Sequence, residues 1–195
     1  MTLGDTLFGR LSPREIALDK AELKRRLGEG AEEALARYRS LSDGLFSECD
    51  IKYAVTEAEL SVDGECSTVG GVKIPSRSLS KMLSGCEGAY ILALTLGVGV
   101  DRFIKRATSV SITEGVVADA LASTLADGVC YEVIKRHLGD IRHTPPFAPG
   151  YGDSGIECLP HLLKKADGTG YLGIDMTASK LMLPTKSIIV IVGKM

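Results

Sequence analysis

The sequence predicts a single α+β domain, and three observations support that prediction. The 195 residues are 45% hydrophobic, which suffices for one core, because a domain of roughly 150 residues already buries about 70% of its unfolded surface. Segments with strand periodicity and helix periodicity follow one another without a repeated strand–helix–strand order. One helical segment is long and rich in alanine. No linker or repeat divides the chain, so we expect residues 1–195 to form one domain, with residues 1–12 as a flexible arm.

The amino-terminal third predicts two helices and a first strand. Asp19-Lys20-Ala21-Glu22 has the spacing of a capping box, which predicts a short helix ending near Gly28. A second helix is predicted beyond Gly30 and should end before Asp50. Its apolar side chains recur every three or four residues: Leu35, Tyr38, Leu41 and Leu45. Residues 51–57 alternate between apolar and polar side chains, as in a half-buried strand.

The middle of the chain predicts a hairpin, a short helix and a central strand. Residues 65–69 and 72–74 flank Gly70-Gly71, and two glycines suit a primed hairpin turn because neither resists a positive φ. Pro75 should end the second strand, and Ser78 should cap a short helix. Residues 89–96 are apolar on both faces, as expected of a strand covered from both sides.

That central strand leads into Gly97-Val98-Gly99 and a helix, an order that invites a dinucleotide-binding interpretation. The third glycine of the fingerprint is replaced by Arg102, and the surrounding segments do not repeat as strand–helix–strand. A tight turn from strand to helix is therefore the favoured interpretation. A dinucleotide-dependent enzyme built on residues 97–99 stays the weakest of three functional hypotheses.

Residues 111–138 predict the longest helix. Ser111-Ile112-Thr113-Glu114 has the capping-box spacing, and Gly139 follows the last apolar position. Two adjacent rows at i,i+4 spacing make a wide apolar stripe: Val117, Leu121, Leu125, Val129 and Val133, and Ala118, Ala122, Ala126, Cys130 and Ile134. Small side chains let a neighbour approach closely, so we assign them to packing. A short helix over residues 157–165 and a short strand or extended link over residues 171–174 follow. Residues 182–184 and a β-branched strand over residues 188–192 close the chain.

Composition argues against several classes of function. A formal charge of −2 offers no basic face for nucleic acid. The most apolar runs are shorter than the roughly 20 residues that a membrane span needs, so no membrane partner is expected. Five cysteines without a C-x-x-C pair predict reduced thiols in the cytoplasm. The histidines lack metal-ligand spacing, and no P-loop or nucleophile elbow occurs.

The last quarter of the chain contains the most informative motifs. Residues 147–153 read Phe-Ala-Pro-Gly-Tyr-Gly-Asp, a run that excludes helix and leaves backbone open to a ligand. Residues 174–187 read Ile-Asp-Met-Thr-Ala-Ser-Lys-Leu-Met-Leu-Pro-Thr-Lys-Ser. With residues 93–101 and the long helix upstream, these motifs resemble the activation, or reactivation, domain of cobalamin-dependent methionine synthase in a small stand-alone form. The resemblance runs from about residue 85 to the end, and more loosely from residue 14.

The resemblance implies a fold and a role. The implied fold is one α+β domain with a curved, largely antiparallel sheet and packed helices. The implied role is to support reductive remethylation of cob(II)alamin with S-adenosylmethionine as methyl donor, which would make the chain a methyltransferase-associated component. The implied partners are a cobalamin-binding methionine synthase core or another corrinoid protein, which carries the cobalamin, and a flavodoxin- or ferredoxin-like electron donor.

The resemblance also implies which residues bind. The positions that match S-adenosylmethionine contacts are Ala148, Gly150 and Tyr151, and those in the segment that faces the corrin are Lys180, Met182 and Pro184. The family pattern R-x-x-P-G-Y has arginine where this chain has Pro146. An arginine would hold a ligand carboxylate with charge-assisted hydrogen bonds worth about 1.5–3 kcal/mol, and proline has no such group.

Two hypotheses follow from that departure. Arg142, four residues earlier, is a candidate substitute if the segment between it and Pro146 bends back. Alternatively, the chain is a non-catalytic adaptor module that docks on a corrinoid protein but has lost S-adenosylmethionine binding.

Overall fold

The computed structural model describes residues 5–28, 36 and 39–195. Its centre is a four-stranded antiparallel sheet with strand order β1-β2-β6-β9. The strands of this central sheet are β1 (Thr6–Leu11), β2 (Ile51–Ala58), β6 (Gly88–Thr95) and β9 (Ser187–Lys194). Together with the helices below, it confirms the α+β prediction.

Two smaller antiparallel sheets accompany the central one. The first consists of β3 (Leu60–Asp63), β4 (Cys66–Val69) and β5 (Val72–Pro75). Gly70 and Gly71 connect β4 to β5 with φ values of 56° and 81°, so the predicted primed turn is confirmed. The second is the short hairpin of β7 (Asp175–Met176) and β8 (Met182–Leu183).

Six helices in the described residues cover the sheets. They are α1 (Lys20–Leu27), α2 (Arg39–Ser47), α3 (Arg77–Leu83), α4 (Val98–Val110), α5 (Ile112–Leu138) and α6 (Leu159–Ala166). The alanine-rich α5 packs on one face of the central sheet with α1, α2 and α4 around it, whereas α6 and the β3-β4-β5 sheet cover the other.

Strand β6 is buried along its whole length. Its alternate side chains enter different cores: Leu92 and Leu94 join the cluster around α5, and Ile91 and Ala93 join the cluster around α6. A strand with both faces covered must be apolar throughout, which explains why residues 89–96 show no alternation.

Two predictions about the amino-terminal half were wrong. Residues 6–11 form strand β1 rather than a flexible arm, because they pair in register with β2 from Thr6↔Thr56 to Leu11↔Ile51 and Leu11 is buried. Ser76, not Ser78, caps α3: its hydroxyl accepts a hydrogen bond from Leu79 N at 3.1 Å.

The observed bounds of the helices agree with the predicted bounds better than the observed capping bonds agree with the predicted ones. Asp19 caps α1 as expected, accepting from Ala21 N at 2.8 Å, but Glu22 forms ion pairs with arginines of the next turn. Helix α5 has the predicted span, although Ser111 makes no side-chain capping bond. Helix α2 contains Leu41 and Leu45 of the second predicted helix. Leu35 and Tyr38, from its first turns, lie outside the described residues.

The Gly97-Val98-Gly99 segment is a tight turn from β6 into α4. Gly97 has φ 90°, a region that other residues rarely adopt. A Cβ on Gly99 would overlap the carbonyl oxygen of Glu48. Close packing against the end of α2 therefore explains these glycines without a dinucleotide.

Substituting Gly99 by alanine should destabilise the protein by about 1–3 kcal/mol, because the new methyl group collides with backbone that cannot move freely. Urea unfolding monitored by circular dichroism measures the effect. Gly88→Ala is the matched control, since a Cβ there lies at an ordinary 3.6 Å from the nearest atom, and it should change the unfolding free energy by less than about 1 kcal/mol. Equal effects of both substitutions would contradict the packing explanation.

Candidate functional site

The proline- and glycine-rich segment, residues 146–153, forms a corner beside β9. Phe147 exchanges two backbone hydrogen bonds with Ile191, of 2.9 and 2.8 Å. Tyr151 N then donates to the carbonyl of Ala148 at 3.3 Å, which closes a turn. Gly150 within that turn has φ 98°, so the turn needs glycine there.

Asp153 fastens the far end of the corner to α3. Its carboxylate accepts hydrogen bonds from the Ser76 hydroxyl and Arg77 N, both at 2.7 Å, and from Ser78 N at 3.3 Å. The Ser76 hydroxyl is the main reason that the pKa of Asp153 falls to about 2, with the bonds from residues 77 and 78 adding to it, because hydrogen bonds to the charged form favour it. The corner is therefore held at both ends.

A cavity of about 870 Å³ adjoins the corner. One wall consists of residues 146–149 and Tyr151, and the facing walls come from α1 and α5. Residues 187–190 of β9, Met182 of β8, Ala17 and Leu159 complete the lining. The size is that of a site for a small molecule.

The cavity has aromatic side chains on two of its walls. Tyr131 of α5 is 62% exposed, and Tyr151 of the corner is 74% exposed. Both line the cavity. Each offers a flat apolar face with a polar tip, the combination that suits a heterocyclic base.

The charged side chains that α1 brings to the cavity are paired. Arg25 lies 2.7 Å and Arg26 lies 2.9 Å from Glu22, and Arg26 lies 2.7 Å from Asp127. Burial raises the pKa of Asp127, and Arg26 partly opposes that rise. Both arginines are thus already bound to carboxylates.

Helix α5 brings a further acid and base. Glu132 is 2.6 Å from Arg136, which does not line the cavity. Lys135 lines the cavity, is exposed and has no ion pair among the described residues.

The β7-β8 hairpin borders the cavity through Met182 and exposes apolar side chains to solvent. Its turn is closed by Lys180 N donating to Thr177 O at 2.9 Å, and Lys180 has φ 63°. Leu181 is 64% exposed and Leu183 is 45% exposed, whereas Met182 between them lines the cavity. Successive side chains of this extended segment therefore point alternately toward solvent and toward the cavity.

Two helices hold the base of this hairpin. Asp101 in the first turn of α4 accepts from Thr185 N at 2.9 Å and from its hydroxyl at 2.6 Å. Lys186 lies 2.8 Å from Asp119 and donates to Ser123 at 2.9 Å, both on α5. These bonds fix the exposed tip relative to the cavity.

The structure brings some of the sequence-derived site residues together and separates others. Ala148, Tyr151 and Met182 line the cavity, and Gly150 shapes the turn. The remaining candidates do not line it: Arg142, Lys180 and Pro184. Arg142 is exposed, and its carbonyl accepts from Met195 N at 2.8 Å.

Sequence reasoning missed the contribution of the long helix. Asp127, Tyr131 and Lys135 all line the cavity and stand four residues apart, so they share one face of α5. That row lies beside the apolar stripe and was the available signal for a second wall.

Metal and redox centres find no support in the described residues. No group of three His, Cys, Asp or Glu side chains there could hold a metal ion. All five cysteines are free thiols, and burial raises the pKa of Cys130 to about 12, which makes it unreactive. No helix among the described residues is long and apolar enough to cross a membrane.

Comparison with known proteins gives a match by structure only. No family model matches the sequence, and no curated protein matches it. Among solved structures, the crystal structure of the MetH reactivation domain bound to AdoHcy superposes with a TM-score of 0.66 and 12% identity, covering 97% of this chain and 78% of that one. At that identity the likeness shows a shared fold.

The Asp153 anchor predicts a defined dependence of stability on pH. Its folded pKa of about 2 lies below the ordinary 3.8, so its stabilisation is present above pH 3.8 and is lost as the pH falls toward 2. Between those pH values the urea midpoint of the wild type should fall further than that of Asp153→Asn. Asp63→Asn, at an exposed carboxylate without a hydrogen bond or ion pair among the described residues, is the control and should follow the wild type. Parallel curves for all three proteins would contradict the anchor.

Proposed function

We propose that this chain binds a ligand of the S-adenosylmethionine type in the cavity and docks on a corrinoid protein through the β7-β8 hairpin. The partner is a cobalamin-binding methionine synthase core or a related protein, and the role is to support reductive remethylation of its oxidised cobalt. One observation supports this most strongly: a cavity of about 870 Å³ adjoins the corner in a fold that a reactivation domain bound to AdoHcy shares. The five free thiols fit a reducing compartment such as the cytoplasm.

The residues around the cavity suit the parts of such a ligand. Tyr151 and Tyr131 offer flat faces to a base. Ala148 and Pro149 bring the backbone of the corner to the cavity wall, and Met182 supplies an adaptable apolar contact. The cavity therefore combines apolar contact area with a few polar groups, as small-molecule sites generally do.

The chain needs no acid or base of its own for this role. One-electron reduction of cobalt and transfer of a methyl group from a sulfonium are supplied by the corrin, a flavodoxin- or ferredoxin-like donor and the methyl donor. What the protein contributes is orientation, which can account for a large share of a rate enhancement. The anchors at Asp153, Asp101 and Lys186 supply the rigidity that orientation requires.

A second function is favoured by one residue. Pro146 lines the cavity at the position where the resembling family has arginine, so this wall has no cation for a ligand carboxylate. On that ground the chain could be an adaptor that keeps the hairpin surface and lacks the methyl donor. Ligand titration separates the two functions.

Calorimetric titration with S-adenosylmethionine should show saturable binding at one site, weakened about threefold to tenfold by Tyr151→Ala, since an aromatic contact is worth about 0.5–1.5 kcal/mol. Leu181→Ala is the control, because Leu181 is exposed and does not line the cavity. Binding by neither the wild type nor the variants would favour the adaptor.

Leu181, which serves as the control for ligand binding, should matter for docking on the partner protein. Leu181→Glu places a charge on the exposed tip and should weaken binding to a purified cobalamin-loaded partner about tenfold or more, because an unpaired charge in an apolar interface is costly. Biolayer interferometry measures this, and Val62→Glu, an exposed change on β3, should leave binding unchanged. If Leu181→Glu binds like the wild type, the hairpin is not the docking surface.

A further inference from the structure

The cavity contains one lysine that is available to a ligand. Of the three cations in its lining, Arg25 and Arg26 are bound to Glu22 and Asp127. Lys135 has no ion pair among the described residues, and Glu132, its neighbour on the same wall, is bound to Arg136. An anionic group that enters the cavity therefore finds its free countercharge at Lys135.

Two sets of contacts indicate that helix α5 and strand β9 run in the same direction. At the start, Lys186 contacts Asp119 and Ser123. At the finish, the chain that leaves α5 pairs with the end of β9, through the bridge His143↔Lys194. Positions along β9 can therefore be projected onto α5.

Pro146 and Lys135 line the same cavity, and a rough count along β9 brings them to about the same level. The antiparallel bridge Phe147↔Ile191 sets Pro146 opposite Val192, six residues beyond Lys186. Six residues of strand span about 20 Å, and about 20 Å of helix is about 13 residues. Counted from the contacts at Asp119 and Ser123, this reaches about residue 134 of α5.

We propose that Lys135 binds the carboxylate of the ligand's amino-acid moiety, across the cavity from the position where the corner has Pro146. This inference rests on the proposed function. The cation comes from the helix instead of the loop, and the site selects an adenosyl amino acid over the same nucleoside without the amino acid.

The spacing along α5 fits a ligand of that shape. Asp127, Tyr131 and Lys135 stand about 6 Å apart and span about 12 Å in all. A nucleoside joined to an amino acid is a molecule of about this length, with a flat base at one end and a carboxylate at the other. Lys135 holds the charge at one end of the row, and Tyr131 and Tyr151 offer flat faces to the rest of the ligand.

Two probes and three variants test the role of Lys135. The probes are AdoHcy and 5′-methylthioadenosine, which share the nucleoside and thioether, but only AdoHcy carries the amino-acid moiety with its carboxylate and amino group. Lys135→Met should weaken AdoHcy binding about tenfold and leave 5′-methylthioadenosine unchanged, and Lys135→Arg should restore AdoHcy binding. Lys164→Met is the matched control, because Lys164 is also an exposed lysine in the last turn of a helix but lies outside the cavity.

Each outcome has a distinct meaning in calorimetry. A loss confined to AdoHcy, restored by arginine and absent in Lys164→Met, supports the inference. If Lys135→Met weakens the binding of both probes equally, or weakens neither, the inference about Lys135 is overturned. The proposed function still stands in that case, provided that the wild type binds AdoHcy. If neither probe binds the wild type, the proposed function fails, and the role of Lys135 fails with it.

Discussion

The backbone pairing of Phe147 with Ile191 is the interaction on which the site depends. β9 is the last strand of the central sheet, so its outer edge would otherwise present unpaired amide and carbonyl groups. The segment after α5 covers part of that edge with bridges at His143 and Phe147. Because the segment is tied to β9 while α5 packs over the same sheet, a space opens between them, and that space is the cavity.

Carboxylates, rather than regular secondary structure, hold the loops around this space. Asp153 fastens the corner to α3, and Asp101 fastens the base of the hairpin to α4. Outside the cavity lining, Asp167 does the same for the turn after α6, accepting from Tyr171 N at 2.8 Å and Leu172 N at 2.7 Å. An acceptor with two oxygens can satisfy several backbone amides at once, which lets an irregular chain be rigid.

Helices and strands with a clear local pattern could be predicted from the sequence. The strand at residues 6–11 and the cap of α3 could not, because they depend on tertiary contacts. The all-apolar β6, the two-glycine hairpin and the span of α5 could be inferred because each depends on its own sequence. The strand at residues 6–11 was missed because its burial depends on β2, far away in the chain. Ser76 and Ser78 are equally good caps by composition, and only the end of β5 decides between them.

The candidate site shows the same division. The corner could be located from proline and glycine alone, because those residues restrict the backbone wherever they occur. The wall formed by α5 was missed although Asp127, Tyr131 and Lys135 share one helix face, because that row looks like an ordinary solvated face until the corner is placed beside it. The sequence does not give the path of the chain after Leu138. It therefore could not show that Lys135 of α5 lines the cavity and that Arg142 does not.

Met182 lines the cavity, and its neighbours Leu181 and Leu183 are exposed to solvent. A guest that moves the backbone at Met182 also moves the leucines beside it, because a two-residue strand cannot bend between adjacent positions without losing its pairing. The two binding events would then share one free-energy term, and thermodynamic reciprocity requires that each alter the other's affinity by the same factor. A strand of two residues would thus act as the coupling between an interior guest and an exterior partner.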